Sequence, residues 1–145
     1  MIQAPPADVY RRLIRNVGDW WNPDHTFSRD SHNLSIAEKP MGCFCENLAN
    51  RGAVRHMEVI NYDPGKILRM SGAIGPLQGL AAQAVLTIML TPADGATKLE
   101  ATYAVGGYVA NGMNTWAAPV DSVISEQMMR LKSYVETKQP APKGK

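Results

Sequence analysis

Three ionisable side chains are the candidates for chemistry in this sequence: Glu46, His56 and Glu58. They fall on two strand-like segments joined by a turn, so they lie near one another if the segments pair. A neutral imidazole beside a carboxylate can act as a general base, and partial burial adjusts its pKa. These three residues are therefore the candidate catalytic groups.

Other interpretations of the same three side chains remain open. With His25 from the preceding loop, they offer the nitrogen and oxygen ligands of a metal site. Alternatively, they form a hydrogen-bonded polar patch that orients a ligand, or they face solvent. We favour the polar patch over catalysis, and we predict no resident metal and no cofactor.

The turns between the segments determine which side chains share a face. Asn50-Arg51-Gly52 is typical of a three-residue hairpin loop, and Asp63-Pro64-Gly65 of a second tight turn. The first turn places Glu46 opposite His56, and the second places Ile60 opposite Leu68. The predicted cavity face then contains Phe44, Glu46, Leu48, Val54, His56, Glu58, Ile60, Leu68 and Met70. A shift of one residue would reverse the face of the shifted strand.

The two cysteines, Cys43 and Cys45, occupy positions i and i+2 of a predicted strand. Their Cα atoms should lie roughly 6.5–7 Å apart on the same face, which is at or beyond the usual limit for a disulfide. Two thiols alone are also too few for a structural zinc site. We predict free cysteines that pack as small apolar side chains, with redox or thiolate chemistry as the alternative.

These residues belong to a predicted sheet that lies between two helical regions of the chain. Pro5-Pro6-Ala7-Asp8 starts a helix whose residues Val9, Leu13 and Ile14 share one face. Alternating segments predict strands at 34–36, 42–48, 53–62, 66–73, 82–90 and 97–105. A long amphipathic helix follows Pro119, with an apolar stripe formed by Val120, Val123, Ile124, Gln127, Met128, Leu131, Tyr134 and Val135.

This order of elements resembles the SRPBCC superfamily, with its START-like or birch-pollen-allergen-like helix-grip fold. The resemblance is carried by segments 4–10, 20–23, 42–44, 59–64 and 66–68, and it is greatest for the bacterial branch labelled polyketide cyclase or heat-shock ATPase-activator homologue. It implies an α+β fold: a curved antiparallel sheet wrapped around a long C-terminal helix, with a short N-terminal helix pair. Members bind lipids, hormones or polyketides, and some are cyclases or hydrolases, so the fold does not decide the function.

A helix-grip fold usually encloses a cavity, so we expect a hydrophobic or aromatic small molecule as the partner. Trp20 and Trp21 either cover the cavity mouth and stack on a ring-containing ligand, or one of them packs in the core between the first helix and the sheet while the other is partly exposed. Segments 72–80 and 106–116 are expected at its rims. The candidate ligand-binding residues are Trp20, Trp21, Phe44, Leu48, Ile60, Leu68, Met70, Tyr103, Gln127 and Leu131.

Two alternatives to a binding protein stay open. One is a cyclase- or hydrolase-type enzyme that uses His56 and a nearby carboxylate. The other is a co-chaperone-like interaction module, which requires an exposed apolar patch. The outer face of the sheet offers one candidate patch, made of Cys43, Cys45, Met57 and Val59.

Composition allows one domain and argues against two classes of partner. A chain of 145 residues that is 45% hydrophobic can bury one core, and we assign 1–138 to a single domain and 139–145 to a flexible tail. The net charge of +2, without a basic stripe, argues against nucleic acid. No apolar run approaches the ~20 residues of a membrane span. We expect a monomer or a homodimer.

The first residues of the chain suggest that most of an N-terminal strand is absent. Residues 1–4 resemble only the stump of the first strand that the SRPBCC superfamily places before its first helix, so we expect a truncated N-terminus. The localisation is then cytoplasmic as the chain stands, or exported if a longer precursor carries a signal peptide.

Overall fold

Six antiparallel strands form one sheet in which the spatial order follows the chain order. A computed structural model describes residues 1–142. The strands are β1 (Leu34–Ile36), β2 (Cys43–Asn47), β3 (Ala53–Asp63), β4 (Ile67–Ser71), β5 (Ala81–Ala93) and β6 (Ala96–Tyr108), and the helices are α1 (Pro6–Arg15), α2 (Val17–Trp20) and α3 (Ala117–Thr137). The curved sheet, the long C-terminal helix and the short N-terminal helices confirm the predicted α+β helix-grip architecture.

The sequence features that predict the first helix also explain why it forms. Pro6 occupies the first helical position, where its missing N–H costs nothing, and Asp8 lies in the first turn near the positive end of the helix dipole. The predicted apolar face is buried against the sheet and α3, with Val9 fully buried and Leu13 only 1% exposed. Ile2 pairs with Thr97 of β6 through two backbone hydrogen bonds, which fixes the chain before α1.

The long hairpin of β5 and β6 is the most regular part of the sheet. Its strands pair from Ala81 with Tyr108 to Ala93 with Ala96 without a register shift. The connecting residues Asp94 and Gly95 both have positive φ angles, as a two-residue turn that matches the strand twist requires. This hairpin extends several residues beyond the strands predicted at 82–90 and 97–105.

The final helix covers the sheet with a stripe that differs from the prediction at one position. Ile124, Leu131, Tyr134 and Val135 are buried as expected, but Arg130 is buried as well. The Arg130 guanidinium donates from Nε to the Trp20 carbonyl over 2.9 Å and from Nη1 to the Ala141 carbonyl over 2.6 Å. This cation therefore joins α3 to the end of α2. Within the predicted tail, residues 143–145 lie outside the described part of the chain.

Two β-bulges interrupt β3 and alter the predicted register. In the β2–β3 pairing, Cys45 lies opposite Arg55 but Phe44 lies opposite Met57, so His56 is an extra residue. In the β3–β4 pairing, Val59 lies opposite Met70 but Asn61 lies opposite Arg69, so Ile60 is also extra. An extra residue reverses the alternation of side chains on the bulged strand. The strictly alternating register predicted for β3 was therefore wrong.

The prediction of free cysteines was also wrong, because Cys43 and Cys45 form a disulfide. The register between β2 and β3 shifts between Phe44 and Cys45, where His56 of β3 is the extra residue. The cysteine Cα atoms are 5.2 Å apart, which is within the usual range for a disulfide. An ideal strand would have separated them by more, and the bulge was not visible in the sequence.

Candidate functional site

A cavity of about 720 Å³ lies between the sheet, the first half of α3 and two loops. Phe44 of β2 and His56 of β3 line its sheet side, and Val120 and Val123 line its helix side. The loop 74–79 and the loop 24–27 complete the wall, together with Trp21 and Trp116. The lining is mainly apolar and aromatic, so the cavity favours a ligand with a large apolar surface.

A buried pair, Glu46 and His56, lies at this wall, and His56 is the member that lines the cavity. The His56 Nε2 lies 2.9 Å from the Glu46 Oε2, with the Glu46 side chain fully buried and the His56 side chain 7% exposed. An ionised carboxylate can only accept hydrogen bonds, so Nε2 carries the hydrogen. A neutral imidazole then keeps its lone pair on Nδ1, which is the nitrogen able to accept a proton or a hydrogen bond.

The Glu46 carboxylate also holds a loop of the cavity wall. The backbone N–H of Phe27 donates to Glu46 Oε2 over 3.1 Å, and that of Ser28 donates to Oε1. Burial raises the pKa of Glu46, but the hydrogen bonds from Ser28, Phe27 and His56 outweigh it, so the pKa lies below its ordinary value. Glu46 is therefore held as an anion in a buried site.

Two aromatic rings flank the His56 imidazole. The Phe44 ring centroid lies 5.2 Å from the imidazole centroid, and the Phe27 centroid lies 5.9 Å from it. Trp21 extends this group, since its ring packs edge-on against Phe44 at 5.4 Å. These contacts fix the plane of the imidazole.

A second polar cluster lies at the edge of the cavity, where residues 22–25 approach α3. His25 Nε2 is 3.2 Å from Glu126 Oε2, and Asn22 Nδ2 donates to the other Glu126 oxygen over 2.6 Å. Gln127 is fully buried, and its Oε1 accepts from the Asn22 N–H over 2.8 Å. Its Nε2 has no hydrogen-bond partner among residues 1–142.

A second cavity, of about 580 Å³, lies next to the first. Leu77, Trp116 and Val120 line both spaces and therefore form the boundary between them. Tyr103 of β6 lines the second space, but its hydroxyl is already engaged: it accepts from the Ile74 N–H over 3.0 Å and donates to the Gly72 carbonyl over 3.3 Å. The second cavity therefore adds apolar surface along the same helix.

The structure brings some of the predicted site residues together. Glu46, His56 and Phe44 share one face, as the sequence predicts. Trp21 lines the cavity, whereas Trp20 is 1% exposed in the core, where its Nε1 donates to the Arg12 carbonyl. Trp20 therefore does not line the cavity, and contact between Trp21 and a ligand stays a prediction.

Other predicted residues lie elsewhere within the described part of the chain. Because of the bulges in β3, Glu58 faces outward and pairs with Arg55 over 3.2 Å, and Ile60 is 51% exposed. Leu48 is half-buried near the hairpin turn. The remaining residues predicted to contact a ligand are packed in the protein core and do not line the cavity: Leu68, Met70, Gln127 and Leu131.

The predicted outer apolar patch is not formed. Met57 and Val59 are each 1% exposed, because the bulge at His56 turns both of them toward the core. Only Cys43 and Cys45 of that predicted patch face outward, and they are half-buried. This removes the sequence feature that supported an interaction module.

Sequence reasoning missed Phe27 and the N-terminal part of the helix wall. Phe27 lies in a polar loop without periodicity, and its role depends on the Glu46 carboxylate that fixes this loop. An apolar residue isolated in a polar loop was the available signal.

Among the described residues, no three His, Cys, Asp or Glu side chains are close enough together to hold a metal ion. No helix of the described chain is long and apolar enough to span a membrane.

Comparisons with known proteins match this chain by fold and not by sequence. No family model matches it, and no curated protein gives a significant match. The solved structures that resemble it include the Aha1 dimer from Colwellia psychrerythraea, at 16% identity and a TM-score of 0.62, with 94% of this chain and 91% of that chain covered. Ara h 8.0201 resembles it at 13% identity and a TM-score of 0.64, with 92% and 91% covered.

A third similar structure is that of protein MLL2253 from Mesorhizobium loti, at 19% identity and a TM-score of 0.56, with 90% of each chain covered. Identities this low establish a common fold alone. They show that this chain shares its fold, a curved antiparallel sheet with a long C-terminal helix, with these structures. Membership of the SRPBCC superfamily and of a particular branch remains a prediction.

Proposed function

We propose that this protein binds an apolar, ring-containing small molecule in the cavity between the sheet and α3. The observation that carries this proposal is the cavity itself, because its volume of about 720 Å³ falls within the range of about 300–1,000 Å³ typical of ligand sites. Phe44, Trp21 and Trp116 supply aromatic surfaces on which a ring can stack. Burial of apolar ligand surface provides the affinity.

His56 provides the polar recognition in this proposal. Its Nε2 is committed to Glu46, so its Nδ1 accepts a hydrogen bond from a ligand hydroxyl or amine. The buried carboxylate keeps the ring in one tautomer, because a hydrogen bond at one ring nitrogen determines which nitrogen carries the proton. A ligand with an apolar ring and one donor group is thus the class that best fits the wall.

A second candidate function is proton transfer by His56 as a general base. The observation that favours it is the buried Glu46 anion at 2.9 Å, which stabilises the imidazolium formed when Nδ1 takes a proton. This arrangement suits a cyclase- or hydrolase-type reaction of a molecule held in the cavity. The chemical substrate would be a ligand whose acidic hydrogen points at Nδ1.

Ligand binding can be tested with the aromatic probe 8-anilinonaphthalene-1-sulfonate and one cavity-filling variant. Val120 lines both cavities, so Val120→Trp should fill the space that they share and weaken probe binding at least tenfold. Met129 lies on the same helix but is 58% exposed, so Met129→Trp is the matched control and should bind the probe as the original chain does. Equal binding by both variants would contradict the proposal.

Native mass spectrometry of gently purified protein adds an independent measurement. We expect a copurified small molecule whose mass is lost in Val120→Trp and retained in Met129→Trp. The same spectra report whether the protein is a monomer or a homodimer.

The catalytic candidate has its own test. His56→Gln should abolish hydrolysis of a small nitrophenyl ester, and a rate unchanged by this substitution would exclude a role for His56 in that reaction.

A further inference from the structure

The Cys43–Cys45 disulfide lies on the side of β2 opposite the cavity, with Phe44 between its two cysteines. Both cysteines are half-buried, so solvent reaches this surface. The residue across from Cys45 is Arg55, and the residue across from Cys43 is Glu58. The disulfide is thus accessible, and the two residues across from it, Arg55 and Glu58, pair with each other over 3.2 Å.

We propose that Cys43–Cys45 is a redox-active disulfide that exchanges with small thiols and that its redox state controls the cavity. The part of this inference that concerns the cavity rests on the proposed ligand-binding function. The part that concerns thiol exchange stands on the disulfide and its neighbours alone.

The surroundings indicate which sulfur is attacked and which one leaves. An incoming thiolate attacks the Cys43 Sγ, the Cys43–Cys45 bond breaks, and Cys45 leaves as a thiolate. Arg55 lies across from Cys45 and is 68% exposed; its guanidinium also pairs with Glu58 over 3.2 Å, and its position opposite the leaving sulfur favours this anion. A second thiol then attacks the mixed disulfide and releases Cys43 as a thiolate, so that two external thiols are oxidised and the protein disulfide is reduced by two electrons.

The link to the cavity is the shortened backbone of β2. The disulfide holds the two cysteine Cα atoms 5.2 Å apart, whereas residues i and i+2 of an extended strand are about 6.4–6.8 Å apart. Reduction removes this restraint and allows the strand to extend. Phe44 lies inside the restrained segment and Glu46 follows it directly, so both side chains move relative to His56.

Thiol exchange is tested first, without any ligand. The full chain is equilibrated with glutathione buffers of increasing reducing strength, and its free thiols are alkylated and counted by mass. We expect a single transition from zero to two alkylated cysteines while circular dichroism shows the protein still folded. A folded protein with the same alkylation state in every buffer would overturn the proposal.

The order of attack has its own measurement. Arg55→Gln should slow reduction by glutathione at least threefold, because it removes the cation opposite Cys45. The matched control is Arg51→Gln, which changes an exposed arginine in the adjacent turn and should leave the rate unchanged. Equal rates for the two variants would refute the role of Arg55 and the assigned order.

The coupling to the cavity is tested by tryptophan fluorescence, again without a ligand. Trp21 packs against Phe44 at 5.4 Å, so reduction should change the fluorescence with the same midpoint as the alkylation, and Trp21→Phe should remove most of this change. Fluorescence that is identical in the oxidised and reduced proteins would overturn the coupling.

Ligand affinity completes the test. Affinity for 8-anilinonaphthalene-1-sulfonate should be at least threefold lower in the reduced protein, and the double variant Cys43→Ser, Cys45→Ser should match the reduced protein in any buffer. Equal affinity in both redox states would overturn control of the cavity. Absence of probe binding in both states would count against the proposed ligand-binding function, while the alkylation and fluorescence results would still decide the redox proposal.

Discussion

The His56 imidazole and the Glu46 carboxylate form a hydrogen-bonded pair inside the protein, with 2.9 Å between Nε2 and Oε2. The same carboxylate accepts the backbone N–H groups of Phe27 and Ser28. One buried anion therefore fixes the histidine and the adjacent loop together. Removal of its charge should affect both the stability of the protein and the shape of the cavity.

Glu46→Gln should reduce the free energy of unfolding by about 3 kcal/mol, because a buried, hydrogen-bonded anion is replaced by an amide that cannot satisfy three donors. Chemical denaturation checks this value. Glu58→Gln is the matched control, since the Glu58 side chain is 34% exposed and its pair with Arg55 faces solvent; its effect should stay below about 0.5 kcal/mol. A Glu46→Gln variant as stable as the original would contradict the structural role of this anion.

Acid should destabilise the protein through the same carboxylate. The pKa of Glu46 is lower in the folded protein than its ordinary value of 4.5, so the unfolded chain binds a proton at a higher pH than the folded one does. The stabilisation from Glu46 is therefore complete above about pH 5 and is lost as the pH falls through the folded pKa. Denaturation measured between pH 6 and 3 should show this loss, and the slope should be smaller in Glu46→Gln.

Gly72→Ala should destabilise the protein by at least about 2 kcal/mol. Gly72 has a φ of +150°, and a Cβ there would lie 2.5 Å from the His56 carbonyl oxygen and 2.9 Å from the Met57 Cα. Thermal denaturation checks the loss. The control is Gly79→Ala, because a Cβ at Gly79 meets nothing within 4 Å. If the two variants melt at the same temperature, the backbone contact at the β3 bulge is not as close as described.

Arg130→Met should cost about 2 kcal/mol, because the Trp20 carbonyl loses the donor that lies 2.9 Å away while the apolar stem is retained. Denaturation of the variant checks the value. Arg15→Met provides the comparison on an exposed helical position and should change stability by less than about 0.5 kcal/mol. A similar small effect at Arg130 would mean that water replaces the guanidinium without cost.

Much of the fold follows from sequence periodicity. The order of elements, the two central turns and the amphipathic α3 depend on local patterns, and these patterns are strong in this chain. Glu46 and His56 were correctly predicted to share a face even though Glu46 pairs with Val54 and not with His56. A register shift of two residues preserves the face of a side chain, so this error had no consequence for the pair.

The bulges explain most of what the sequence did not reveal. His56 and Ile60 are inserted into β3 by the geometry of the neighbouring strands, and no residue type marks either position. Glu58 and Ile60 were consequently assigned to the wrong face. The disulfide was missed because the prediction used the spacing of an ideal strand, whereas the Cα atoms of Cys43 and Cys45 lie 5.2 Å apart.

Tertiary partners account for the rest. Arg130 is buried because the Trp20 carbonyl, far away in the chain, offers it an acceptor. Gln127 has the helical position of a cavity residue but bonds the backbone of Asn22 and stays in the core. Neither partner can be found from helical periodicity, which records only the face of a helix and not what lies against it.

Because of the Glu46 carboxylate, the loops on the two sides of the cavity are held with different strength. Displacement of residues 27 and 28 breaks two bonds to a buried anion. On the other side, the loop between Gly75 and Gly79 is joined to β3 by an exposed hydrogen bond between uncharged groups, which the Gln78 amide donates to the Arg55 carbonyl. Water replaces such a bond at little cost. For the ligand proposed above, we therefore expect the loop between these glycines, which is otherwise anchored by the buried Leu77, to govern the residence time.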